Sequence, residues 1–184
     1  MKQESVTKYV LRVALTLLLI TGVVAVALAG VNIITAPKIL ANKEAKIQEA
    51  VQKVLSGGGA SVDSFQDATG MVTAVWSSEK GYAVQVEPVG FNGAVTLMVG
   101  VDPEGKLLGI SVISQTETAG LGAVVAADNQ AGKMFRDQFT GLSGELAVDK
   151  DGGEIDAITG ATITSRAVTK GINAALECVR RSFL

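Results

Sequence analysis
The chain has 184 residues, 48% of them hydrophobic, a formal net charge of −2 and no histidine, which is enough for one ordinary domain with a segment to spare. Without imidazole it cannot build a Ser-His-Asp or Cys-His catalytic set or a histidine-ligated zinc, haem or Rieske centre, and one cysteine, Cys178, permits neither an intrachain disulfide nor a cysteine-ligated iron-sulfur cluster. Redox or group-transfer chemistry here calls for an organic cofactor, and no metal site is expected.

Residues 1–12 read as a short tail in which Lys2, Lys8 and Arg12 stand against Glu4. From Val13 to Ala36 no charged residue occurs over 24 positions, a run that as a helix spans about 36 Å and crosses a bilayer. A cleavable secretory signal is the competing reading, because Ala27-Leu28-Ala29 before Gly30 has the small-residue pattern of a cleavage site. We favour a retained anchor, since apolar sequence continues to Ala36. The cationic tail then places the N-terminus in the cytoplasm and everything after Pro37 outside. Ala25 and Ala29 have small-xxx-small spacing, with Gly22 and Gly30 adding smooth surface, which suits a neighbouring helix or is merely the composition of spanning helices. The absence of ionisable residues between Arg12 and Lys38 makes the span a poor ion pathway.

Residues 37–70 read as an amphipathic stalk, with Leu40, Ile47, Val51, Val54 and Leu55 on one face, followed by a linker that opens at Ser56-Gly57-Gly58-Gly59. Residues 71–184 form the folded domain. MVTAVWSS (71–78) and GYAVQVEPV (81–89) alternate as strands, and GAVTLMVGVDPEGKLLGISVIS is a hairpin about Asp102-Pro103-Glu104-Gly105. A glycine-rich loop then leads to a short helix near Lys133 to Phe139, and ELAVDKDGGEIDAI resembles another hairpin. Val168, Ile172, Ala175, Leu176 and Val179 make one face of a final helix from Ser165 to Arg181, with Cys178 as a small buried residue. The fold class is α+β: one membrane helix and stalk, then a compact, largely antiparallel sheet with packed helices. Residues 37–184 hold 13 Lys and Arg against 17 Asp and Glu, a net of −4, so no nucleic-acid partner is expected.

The segment DAITGATITS, Asp156 to Ser165, lies between a strand expected to end near Ile158 and the final helix. Such a junction offers unpaired N–H groups and the positive end of a helix, which suits a phosphate, and Gly160 and Ala161 leave its backbone uncrowded. Thr164 or Ser165 reads as an ordinary N-cap, worth about 1 kcal/mol. Thr159 and Thr162 are left without a capping role.

Asp156-Ala157-Ile158-Thr159-Gly160-Ala161-Thr162 resembles the flavinylation signature of the FMN-binding domain shared by the Rnf and sodium-pumping NADH:quinone oxidoreductase complexes. Glu117-Thr118-Ala119-Gly120-Leu121-Gly122 resembles the family's Glu-Thr-Pro-Gly-Leu-Gly loop, which lies near the flavin. The resemblance covers nearly the whole chain, and in its compact size and its ending soon after the signature helix it is most similar to the G subunits of Rnf ion-translocating oxidoreductase complexes.

It implies an electron carrier in a ferredoxin:NAD oxidoreductase complex coupled to sodium or proton movement. FMN would be esterified through its phosphate to Thr162 by a separate flavin transferase, which recognises Asp156 and Thr159. Gly160 and Ala161 would give the phosphate clearance, and Glu117, Thr118, Gly120, Leu121, Gly122, Thr164 and Ser165 would line the cofactor. The partners implied are the other membrane subunits, with the FMN-binding domain, 71–184, on the extracytoplasmic side of the cell membrane.

Two departures stand out: Ala119 replaces the usual proline, and Ser114-Gln115-Thr116 lacks the histidine that often precedes the glutamate. The first relaxes a turn by about 1 kcal/mol through chain entropy. Trp76 and Phe91 are candidates to stack on the ring, but such aromatics are more often core and both are left out of the site. The alternatives are the C subunit of the sodium-translocating NADH:quinone oxidoreductase, an anchored non-redox assembly or binding subunit, and a free-standing flavin carrier.

Overall fold
The structure, a computed structural model, describes residues 6–184. Lys2 and Glu4, counted above in the charge of the tail, lie outside the described residues. The chain divides into an N-terminal unit ending at Ala45 and a unit Lys46–Leu184.

Helix α1, Val6–Leu55, contains the whole N-terminal apolar run. Leu15, Leu18, Ile20, Val23, Val26, Leu28 and Ile33 are each more than half exposed. A window of mean hydropathy 2.5 makes the helix long and apolar enough to cross a membrane. The sequence predicts an anchor followed by a separate stalk after Pro37, whereas Pro37 sits inside one continuous helix. Proline removes one N–H from the ladder, at the carbonyl of Ile33, and the flanking turns carry the helix through.

In the unit Lys46–Leu184 five strands pair in chain order, all antiparallel: β1 Ala60–Val62, β2 Val72–Ser78, β3 Gly81–Val86, β4 Thr96–Val101 and β5 Leu107–Ser114. The expected strands and the Asp102–Gly105 hairpin are present. Helices α2, Gln130–Asp137, and α3, Thr162–Ser182, complete the unit with short 3₁₀ turns at Gly122–Ala126 and Asp149–Asp151.

Strand residues alternate between faces, and both faces are covered. Val75, Val84, Val86, Leu97, Val99 and Ile110 pack with Val168, Ile172 and Val179 of α3 and with Phe135 and Phe139. On the other face Trp76, Ala83 and Met98 pack with Ala50, Val51, Val54 and Leu55 of α1. Interior strand β4 is accordingly buried at every position. The end of the expected stalk is thus part of the folded unit, and the expected linker contains edge strand β1, paired through Ala60↔Ser77 and Val62↔Val75.

Two local expectations give way. Residues 145–158 do not form an antiparallel hairpin: the 3₁₀ turn and left-handed Gly152 (φ 83°) bring Ile155 beside Val148 in a single parallel bridge. The helix expected from Ser165 begins three residues earlier, at Thr162, and no strand ends at Ile158.

Candidate functional site
The site begins at the turn before α3. Ala161 N–H donates to the Ile158 carbonyl at 2.9 Å, closing a turn whose third residue, Gly160, has φ 77°, a left-handed value that glycine adopts without strain. The first bond in α3 runs from Ser165 N–H to the Ala161 carbonyl at 3.0 Å. Helix geometry then leaves the N–H groups of Thr162, Ile163 and Thr164 without intrahelical acceptors. The N-cap residue is Ala161, with no side-chain cap, and the first turn carries no acid.

The expected capping role of Thr164 or Ser165 is therefore corrected, because both lie inside the helix and are buried. Ser165 Oγ donates to the Ala161 carbonyl at 3.1 Å and accepts from Ile158 N–H at 3.0 Å, fastening the turn to the helix. Thr164 Oγ1 donates to Glu117 Oε2.

Glu117, 8% exposed, joins three segments. Besides Thr164 of α3, it accepts from Asn92 N–H in the β3–β4 connection, at 2.9 Å to Oε1. Asn92 is also held by Thr116, through Nδ2 to the Thr116 carbonyl at 2.9 Å and through the Thr116 hydroxyl to the Asn92 carbonyl at 3.1 Å. A Cβ on Gly122 would stand 2.5 Å from both Glu117 Oε2 and Thr164 Oγ1, so only glycine lets the loop pass over this carboxylate. The loop is itself a turn: Leu121 N–H donates to the Thr118 carbonyl at 3.1 Å across Ala119 and Gly120, and Gly120 has φ 76°.

Between the loop and the start of α3 is a cavity of about 350 Å³. Of the expected site residues, Glu117, Thr118, Leu121, Gly122, Gly160, Ala161, Thr162 and Thr164 line it. Gly120, Asp156, Thr159 and Ser165 do not. Asp156 and Thr159 are exposed, and the Asp156 backbone is held by the Gln138 amide, with its N–H donating at 2.8 Å and its carbonyl accepting at 3.3 Å. Two further residues line it: Ile163, and Phe91, one of the two aromatics considered for stacking on a ring but left out of the expected site. Ile163 follows Thr162 and was within reach of the motif; Phe91 arrives from another connection, and no spacing links it to the signature. Trp76 lies on the opposite sheet face from α3.

Behind the turn, Asp149 Oδ1 accepts from Ala157 N–H at 3.1 Å, and Arg166 of α3 grips Asp151 with two bonds of 2.6 and 2.5 Å. Hydrogen bonding by the Arg166 guanidinium holds the Asp151 carboxyl below the ordinary carboxylate range. Burial pushes the Cys178 thiol up, which fits a packing role in α3 better than a nucleophile.

The volume falls in the range of small-molecule sites. Its walls are apolar at Phe91, Leu121 and Ile163, while one end offers a hydroxyl and open helix N–H groups. That pairing fits a phosphate joined to a flat, weakly polar ring system, as in FMN. A larger cavity, of about 540 Å³, is lined by Glu104, Glu145, Glu177 and a single cation, Arg180, and its carboxylates would repel a phosphate.

Residues 90–177 match the model of the FMN-binding domain family. The chain is 38% identical over 169 residues to the G subunit of the proton-translocating ferredoxin:NAD(+) oxidoreductase complex of Clostridium ljungdahlii, covering 87% of this chain and 84% of that one. It is 34% identical over 197 residues to the G subunit of the Na(+)-translocating ferredoxin:NAD(+) oxidoreductase complex of Acetobacterium woodii, covering 92% and 91%. A crystal structure of the C subunit of the Na(+)-translocating NADH-quinone reductase of Parabacteroides distasonis aligns with 59% of this chain and 58% of its own, at 24% identity and a TM-score of 0.44, too loosely to carry any argument.

Proposed function
The chain belongs to the family of G subunits of ferredoxin:NAD(+) oxidoreductase complexes, and from that membership we propose that it is an electron-carrying FMN subunit of a membrane-bound, ion-translocating complex, with its flavin esterified to Thr162. The single observation that carries the attachment point is the position of Thr162: the first residue of α3, half-buried in the cavity wall, beside N–H groups with no intrahelical acceptor. When bound, FMN supplies one- and two-electron redox chemistry that this chain's own side chains lack.

The residues divide the remaining work. Thr162 Oγ1 is the oxygen that forms the phosphate ester, and its proton leaves to a base on the transferase, since the carboxylate in the cavity wall, Glu117, is already engaged by Asn92 and Thr164. Joining a hydroxyl to a free phosphate monoester would release water against a large excess of water. The transferase must therefore bring a phosphate activated as a pyrophosphate, whose other half leaves as a monophosphate. Gly160 and Ala161 keep the approach open. Exposed Asp156 and Thr159 remain available to that enzyme rather than to the cofactor. Glu117 positions the two walls of the cavity by bonding Asn92 and Thr164.

α1 anchors the protein in the membrane as a single pass. Lys8 and Arg12 mark its cytoplasmic end, and the unit from Lys46 stands on the extracytoplasmic side. The other membrane subunits are its electron partners. A covalent tether keeps a cofactor that would otherwise be lost from that side and holds it at high effective concentration near its acceptor.

The test is a denaturing gel of the full chain expressed with the transferase and viewed under ultraviolet light. We expect a fluorescent band near 18.9 kDa that disappears in Thr162→Ala and persists in Thr159→Ala at reduced intensity. A dark wild-type band, or a Thr162→Ala band as bright as wild type, overturns the assignment and favours an anchored non-redox subunit.

A further inference from the structure
Residues 156–158 carry no regular structure, yet each of their backbone N–H groups is taken by a side chain from a different element. Asp156 N–H donates to Gln138 Oε1 at 2.8 Å, Ala157 N–H to Asp149 Oδ1 at 3.1 Å, and Ile158 N–H to Ser165 Oγ at 3.0 Å. Gln138 also donates through Nε2 to the Asp156 carbonyl at 3.3 Å, so its carboxamide pairs with Asp156 on both sides as a neighbouring strand would. Backbone without a ladder ordinarily meets its needs with water, whereas here the fold supplies a partner for each N–H.

The clamp itself is anchored. Gln138 is the C-cap residue of α2, and the next residue, Phe139, is fully buried with its ring edge-on to Phe135 at 5.4 Å. The side chains of the held segment are treated the opposite way. Asp156 and Thr159 are exposed, and among the described residues neither the Asp156 carboxylate nor the Thr159 hydroxyl has a hydrogen bond or ion pair. Polar side chains left free on a backbone pinned from three directions are pre-organised for a partner, because little freedom remains to be lost on docking.

We infer that Gln138 is a positioning residue for flavin attachment, acting through Asp156: it holds that carboxylate at a set place relative to Thr162, so that the transferase meets a preformed surface. This rests on the reading that the enzyme esterifies Thr162. The recognition element then extends in space to a residue 18 positions upstream of Asp156, at the end of another helix. Gln138 does not line the cavity, so it has no share in holding the flavin once attached. Its loss leaves Thr162 in place on α3 and loosens only the segment that the enzyme reads. The effect therefore falls on KM for the chain rather than on kcat.

The experiment supplies the transferase with FAD, whose flavin phosphate is already activated as a pyrophosphate, and with purified full chain in detergent that has not met the enzyme before. In the transfer Thr162 Oγ1 bonds to the flavin phosphorus, the pyrophosphate bridge breaks, AMP leaves and the hydroxyl proton passes to the transferase. The rate at which the fluorescent band appears gives KM and kcat for the chain. Gln138→Ala should raise KM roughly tenfold, in keeping with the loss of two neutral hydrogen bonds, and leave kcat within about twofold of wild type. Gln138→Met, which keeps the length of the side chain and removes both bonds, should do the same should the shorter residue loosen α2. In an Asp156→Ala background neither substitution should have a further effect, because no carboxylate is left to position. A general weakening of the fold would act alike in both backgrounds. A wild-type KM in both Gln138 variants, or equal losses with and without Asp156, overturns the inference, and a bright wild-type band in the same series leaves the attachment at Thr162 standing. A wild-type chain that stays dark removes the attachment and this inference with it.

Discussion

At the scale of single residues the site depends on side chains far apart in sequence. Thr164 looks like a helix cap to any rule that reads neighbours, because a hydroxyl beside a helix start is usually one. Its partner is Glu117, 47 positions away, which local spacing cannot reveal. Ala119 shows the reverse case, a residue whose meaning was legible in the sequence. It occupies the second position of the Thr118–Leu121 turn, followed by Gly120 at φ 76°, and proline at that position pre-sets the backbone. Ala119 is exposed and can take the larger ring. Ala119→Pro should therefore stabilise the protein by about 0.4–1 kcal/mol through the unfolded chain. The check is a urea denaturation series in which the midpoint rises while the slope is unchanged. A lower midpoint would show that the turn needs the Ala119 N–H or a φ that proline cannot adopt.

At the scale of elements, most of the sheet was legible because alternation and turn chemistry agreed: β2 to β5 and the Asp102–Gly105 hairpin follow the pattern of the residues. The segment 145–158 was not, because an Asp-Gly-Gly turn flanked by apolar residues reads alike whether the chain returns antiparallel or loops to a parallel bridge. Here the 3₁₀ turn and Gly152 set the path, and α3 holds it from outside the segment through Arg166 on Asp151 and Asn173 on Leu146. The Arg166–Asp151 pair gives a signed dependence on pH. The folded Asp151 carboxyl lies below its unfolded value, near 4, so its contribution is complete above that value and fades as pH falls through the lowered folded value. Wild type should thus exceed Asp151→Asn slightly in stability at pH 7, and the difference should vanish in strong acid. Denaturation of both proteins across the acid range, with a carboxyl titration of Asp151 by NMR, measures it. A difference that persists unchanged well below the folded value would assign the effect to side-chain shape rather than charge.

At the scale of the whole molecule, the boundary between anchor and domain is the point at which sequence and structure part most clearly. Three consecutive glycines and a polar run to Gly70 have the composition of a linker, which suggests a domain beginning at residue 71. Three residues of that run, Ala60–Val62, nonetheless pair with β2, and a strand so short has no alternation to detect. Upstream, Val51, Val54 and Leu55 are at most 7% exposed beneath Trp76 and Met98. Each such side chain contributes about 1.5–3 kcal/mol on burial, so the three together are comparable with the 5–15 kcal/mol net stability of a typical domain. A fragment 46–184 should consequently unfold in one cooperative transition, and a fragment 71–184 should be largely unfolded or loosely packed. Trp76 is the chain's single tryptophan and reports the difference directly. Its emission should be blue-shifted in 46–184, where α1 covers it, and red-shifted in 71–184, where that cover is gone. Equal emission and equal denaturation midpoints in the two fragments would mean that the last turns of α1 ride on the sheet without supporting it. The flavin site then gives an independent reading of the same dependence. Its loop leaves β5 and its helix packs on the sheet face opposite α1, so if that sheet is stabilised from both sides, cutting away residues 46–70 should also lower the yield of flavin-bearing protein.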